Sequence, residues 1–162
     1  MATPTYTPLA TTTLSAAASS VTFSSIDQSY GDLILVAATS SSSSTNNVDL
    51  VLNSDTGSKY STVSMDGDGS VTDSQLDSRT FFRLTEGISM DTNSSTIIIQ
   101  FMEYSATDKH KTILVRFNDG ADEVLAIAGR FADTSGITSL QFTVPGTSFA
   151  TGSTFSLYGV AK

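Results

Sequence analysis

Residues 95–131 read STIIIQFMEYSATDKHKTILVRFNDGADEVLAIAGRF, and their pattern decides the fold. Three apolar runs follow one another, Ser95 to Tyr104, Thr112 to Phe117 and Glu123 to Phe131. Polar breaks separate them at Ser105 to His110 and at Asn118-Asp119-Gly120. Ile, Val and Phe fit the pleated, half-buried surface of a strand, and Asp-Gly between apolar runs supplies the left-handed backbone of a tight hairpin. The stretch therefore predicts an antiparallel meander. Val124 to Phe131 has enough Ala and Leu to suit a helix as well, so for that window both readings stay open.

The same texture extends in both directions. Leu33 to Ala38 is a continuous apolar strand, introduced by Tyr30-Gly31-Asp32 and ended by a serine-rich loop, Ser40 to Asn47. Val48 to Asn53 and Tyr60 to Met65 flank the turn Asn53-Ser54-Asp55-Thr56-Gly57 and are expected to form a hairpin. A loop rich in Gly and Asp, Asp66 to Asp77, leads to Thr80 to Leu84. Ile137 to Val144 and Phe155 to Val160 alternate as half-buried antiparallel strands do. Near the start, Thr11 to Leu14 and Val21 to Phe23 are short β-prone runs on either side of Ser15 to Ser20.

Residues 1–10 hold two of the three prolines and no apolar period, so they read as an extended N-terminal arm. Residues 11–162 then form one domain. The expectation is all-β: an antiparallel, jelly-roll-like β-sandwich of roughly nine to eleven short strands. Ser and Thr, roughly a third of the chain, favour strands and turns over helices.

Composition narrows the chemistry. At 162 residues the chain is long enough for one core without staples. It has no Cys, which removes disulfides, thiolate metal sites and cysteine nucleophiles. His110 is the only histidine, so no two-imidazole metal site exists. Eight basic residues against 16 acidic ones give a net charge of −8, which opposes nucleic acid and anionic membrane surfaces. The apolar runs fall far short of the ~20 residues a membrane helix needs. Residues 1–8 lack the basic and apolar regions of a secretion signal, so export by that route is not expected.

The segment from Ser64 to Gln75 can be laid on a calcium loop with Asp66, Asp68 and Gly69 at ligand, ligand and turn positions. Ser64 and Gln75 stand where two carboxylates belong, so a turn between strands fits better. His110 lies between Lys109 and Lys111, a poor setting for a general base. Glu86, Glu103 and Glu123 are the only glutamates for a glycosidase pair, with Glu103 the best placed, and no Trp offers a sugar platform. Asn93-Ser94-Ser95 matches a glycosylation sequon. Tyr6, Tyr30, Tyr60, Tyr104 and Tyr158 suit either an interface or the closed ends of a sandwich. No cofactor motif occurs.

Three stretches carry a family likeness: Thr13 to Ile26 followed by Tyr30-Gly31-Asp32-Leu33, then Leu52 to Ser61, and the ending Phe149 to Gly159. They resemble short β-rich virion proteins of tailed bacteriophages, especially those of marine and cyanobacterial hosts. The resemblance implies a non-enzymatic jelly-roll module on the outer capsid surface, a decoration or cement protein bound to the major capsid protein. It also implies a homo-oligomer, dimer or trimer, by the geometry of symmetric shells. Pro4, Thr5, Tyr6, Thr7 and Pro8 of the arm would then strap a neighbour, with Tyr6 as anchor. The competing expectation is a tail or head-fibre adsorption module that binds host carbohydrate through loops such as Ser40 to Asn47.

Overall fold

The computed structural model describes residues 4–43, 47–67, 72–85, 89–121 and 123–162, with residues 72–78 described at the backbone. Among them are twelve strands and no helix: β1 (Tyr6–Thr13), β2 (Ser20–Phe23), β3 (Asp32–Thr39), β4 (Asp49–Leu52), β5 (Tyr60–Gly67) and β6 (Thr72–Arg79), then β7 (Phe82–Arg83), β8 (Ser95–Met102), β9 (Lys111–Asn118), β10 (Val124–Phe131), β11 (Leu140–Thr143) and β12 (Thr154–Val160). An eight-stranded sheet has the order β1-β12-β3-β8-β9-β10-β5-β6, and a four-stranded sheet the order β2-β11-β4-β7. All neighbours are antiparallel. The chain is an all-β sandwich.

The connectivity is nested. The outermost strands pair, β1 with β12, then β2 with β11, β3 with β8 and β4 with β7. Successive pairs alternate between the sheets, as when one long hairpin is rolled up. The other four strands, β5, β6, β9 and β10, widen the larger sheet beyond β8.

Side chains alternate along each strand, so each sheet turns one apolar face inward. Leu33, Leu35, Ile97, Ile99, Phe101, Ile113 and Leu157 from the larger sheet meet Leu50, Leu52, Leu140 and Phe142 from the smaller, all nearly or wholly buried. Phe155 anchors one region, with its ring 5.7 Å from Phe142 and 5.0 Å from Phe149. Burying one such ring contributes about 2–3 kcal/mol. Tyr60 packs 4.9 Å from Phe82 and 5.0 Å from Phe131 at another.

The meander over residues 95–131 is present as expected, with β8, β9 and β10 adjacent. Val124 to Phe131 is a strand. Leu125, Ile127 and Phe131 point inward while Val124, Ala126, Ala128 and Arg130 point out, a period of two that pairing on both sides enforces over the helical leaning of Ala and Leu.

Three expectations need correction. β4 and β5 are not a hairpin: the Asn53–Gly57 turn carries the chain from the small sheet to the large one, where β5 pairs with β10 and β6. Local turn chemistry marks a reversal without naming the sheet that receives the chain. Asp66 to Asp77 is not mainly loop, because β5 runs to Gly67 and β6 starts at Thr72. The extended arm expected over residues 1–10 is in part a strand of the sheet. Tyr6 to Ala10 already lie in β1, held on β12 from Tyr6 opposite Val160 to Thr13 opposite Thr154. An edge strand tolerates Pro8, a residue without N–H, and here the pairing shifts register between Pro8 and Ala10.

Candidate functional site

The outward face of the larger sheet is the distinctive surface. Tyr6, Val36, Val63, Met65, Met102, Leu114 and Val124 are the large apolar side chains left exposed among the described residues, and all lie on strands of this sheet. Their inward neighbours are buried, so these residues belong to the opposite face. Strand register sets them in rows. Val63, Ala128, Leu114, Gln100, Ile34 and Tyr158 face one another across successive strands, and Met65, Ala126, Arg116, Ile98, Val36 and Ser156 form the next row. Gln100, Arg116 and Ser156 interrupt these otherwise largely apolar rows.

Grooves cross the face. One of about 950 Å³ is lined by Met65 and Asp66 on β5, Ile98 on β8, Arg116 and Asn118 on β9 and Val124 and Ala126 on β10. A second of about 430 Å³ adjoins it over Ala128 and Leu114. A third of about 430 Å³, near the other edge, is lined by Tyr6, Ile34, Val36 and Tyr158 together with Thr154 and Ser156. Asp66 Oδ1 is buried with no hydrogen-bond partner among the described residues.

The residues singled out in the sequence are scattered around this face. Of the strap residues, Pro4, Thr5, Tyr6 and Pro8 are exposed and Thr7 is half-buried. Tyr6 is 57% exposed in the third groove, and the Ala161 amide donates to the Thr5 carbonyl at 3.0 Å. Asp68, Gly69 and Glu86, and the side chains of Asp73 and Gln75, lie outside the described residues. Among the described residues no three His, Asp or Glu side chains converge on a possible metal.

Glu103 and Glu123 do not form a carboxylate pair. Glu103 follows Met102, which faces Thr112 at the start of β9, whereas Glu123 precedes Val124, which faces Asn118 at its end. Six residues of strand separate those positions, about 20 Å against the ~10 Å ceiling of a glycosidase pair. Glu103 is instead exposed and accepts from Lys109 Nζ at 3.0 Å, which pushes the Lys109 ammonium up from its usual pKa. His110 is exposed in the same turn. Lys111 is wholly buried, donating to the carbonyls of Lys109 at 2.8 Å and Thr134 at 3.2 Å, and burial pushes its pKa down.

Two buried tyrosines lie at the same end of the larger sheet, Tyr60 opposite Phe131 and Tyr104 just beyond Met102. Tyr60 is buried and donates to the Asp55 carbonyl at 2.6 Å, and burial pushes its phenol up to about 12. Tyr104 is buried and donates to the Asp27 carbonyl. In the sequon Asn93 is exposed, while Ser95 is buried and donates to the Asp119 carbonyl at 2.9 Å.

No single motif marks the apolar outer face, yet the sequence carries a signal for it. Leu33 to Ala38 and Ile97-Ile98-Ile99 are continuous rather than alternating, and an unbroken apolar strand is one whose two faces both seek cover. Comparison with family models and with curated proteins finds no match for the chain.

Proposed function

We propose that the chain is a non-enzymatic structural protein that docks through the outer face of its larger sheet onto a protein shell. We infer further that the shell is a phage capsid, making this a decoration or cement protein bound to the major capsid protein. The carrying observation is the segregation of exposed apolar side chains to that one face. A cement protein needs a broad, repeated contact rather than a cleft, and rows of cross-strand neighbours supply one. The likeness of Thr13 to Leu33, Leu52 to Ser61 and Phe149 to Gly159 to phage virion proteins supports the capsid. The nested strand pairing supports reading the fold as a jelly roll.

The test is to add the protein to undecorated capsids of the phage whose genome carries it and image the particles by electron cryomicroscopy. Ordered density bridging capsid subunits, lost with Met65→Lys plus Leu114→Lys, is the expected result. Bare capsids at saturating protein overturn the capsid reading. One observation favours an adsorption module instead: the third groove sets the rings of Tyr6 and Tyr158 beside the hydroxyls of Thr154 and Ser156, a combination suited to sugars. A glycan array on which Tyr6→Ala abolishes a signal would select that reading.

A further inference from the structure

The two grooves over β10 are one trough, since Met65, Arg116 and Ala126 line both. β10 presents the small Ala126 and Ala128 between Val63 and Met65 on β5 and Leu114 and Arg116 on β9, and the lining continues across β9 to Ile98 and Gln100 on β8. The flanking strands are two spacings, about 10 Å, apart.

What fits this trough follows from hydrogen bonding. β10 is paired on both sides, with β9 and β5, so an occupant on its face gains no main-chain partner from the sheet. It must satisfy its own backbone. A lone extended segment fails that requirement, and a helix meets it internally. A second copy would bring an equally hollow face, leaving the alanines of both uncovered, while a helix offers a single ridge of side chains to fill them. Charge adds a condition. Arg116 is exposed, and among the described residues no hydrogen bond or ion pair engages it, in a chain of net charge −8.

We propose that the trough along β10 receives one amphipathic helix of a partner protein, its apolar ridge over Ala126 and Ala128 and a carboxylate against Arg116. The grooved stretch from Val124 to Ala128 spans about 13 Å, which matches a helix of about nine residues. The inference rests on the outer face being the contact surface and is independent of whether the partner is a capsid protein.

The probe is a yeast-displayed library of helix-forming peptides of about 14 residues, one face randomised, sorted against the intact protein and counter-sorted against Met65→Lys. Met65 is 63% exposed, so this variant is expected to keep the native melting temperature. Enriched clones should carry apolar residues at helical spacing with an acid among them, and Arg116→Glu should weaken them by about tenfold or more. Clones that never distinguish native protein from Met65→Lys overturn the proposal. So do binders indifferent to Arg116→Glu, and so does a dimer in analytical ultracentrifugation that Met65→Lys dissolves. Bare capsids beside helix-selective binding would remove only the capsid as partner.

Discussion

Lys59 holds two carboxylates at once, with Nζ 2.7 Å from Asp55 Oδ2 and 2.6 Å from Asp133 Oδ2. The ammonium, helped by the Ser135 amide, holds the Asp133 carboxyl down at about 2, and it also lowers Asp55. A carboxylate depressed in the folded state stabilises above its unfolded pKa of ~3.9, and that contribution drains as pH falls through the folded value. Melting temperature is therefore expected to drop between about pH 4 and pH 2 more steeply for the native chain than for Asp133→Asn. Parallel curves in a calorimetric pH series would mean that the pair contributes nothing. Nearby, Asn53, in left-handed backbone at φ 52°, accepts from the Thr138 amide at 2.7 Å and donates to the Gly136 carbonyl at 2.9 Å. Sequence identified Asn53 as a turn residue. It gave no sign of partners so far along the chain, because nothing local encodes them.

Among elements, β10 shows how a sheet selects its residues. Gly129 points inward, where a Cβ would stand 2.7 Å from Phe82 Cε1. Gly129→Ala forces that ring to shift within the Tyr60 and Phe131 cluster, an overpacking cost of about 1–3 kcal/mol. Urea unfolding should show this loss, and Ala128→Gly one position away on the outer face should cost less. The elements most legible in sequence were β8, β9 and β10, which pair in the order in which they follow one another along the chain. β4 and β5 were misjudged because a short turn between sheets looks like a short turn within one. Residues 1–10 read as an arm because two prolines and no apolar period do not show that β1 lies at an edge.

For the whole molecule, the eight-stranded sheet joins the two chain ends at one edge and carries the candidate site on its outer surface. The site was legible only in fragments, since Ile98 and Val36 look like core residues until register shows Ile97, Ile99, Leu35 and Ala37 occupying the core. Removing residues 1–10 tests the edge. Leu157 to Val160 would lose their β1 partners and present open backbone, so the shortened chain is expected to melt lower yet cooperatively, and to associate as concentration rises. Sedimentation at several concentrations checks this, and an unaltered, monomeric protein would assign residues 6–10 no role in closing the sheet.

The pairing of β1 with β12 also fixes how the molecule meets force. Tyr6 faces Val160, so tension applied to the two ends pulls this antiparallel pair open from its tip, one residue pair at a time, instead of shearing all its hydrogen bonds together. A load carried through the termini would peel the sheet cheaply. A load spread over the outer face would press the two sheets together, and only that second route uses the strength of the core.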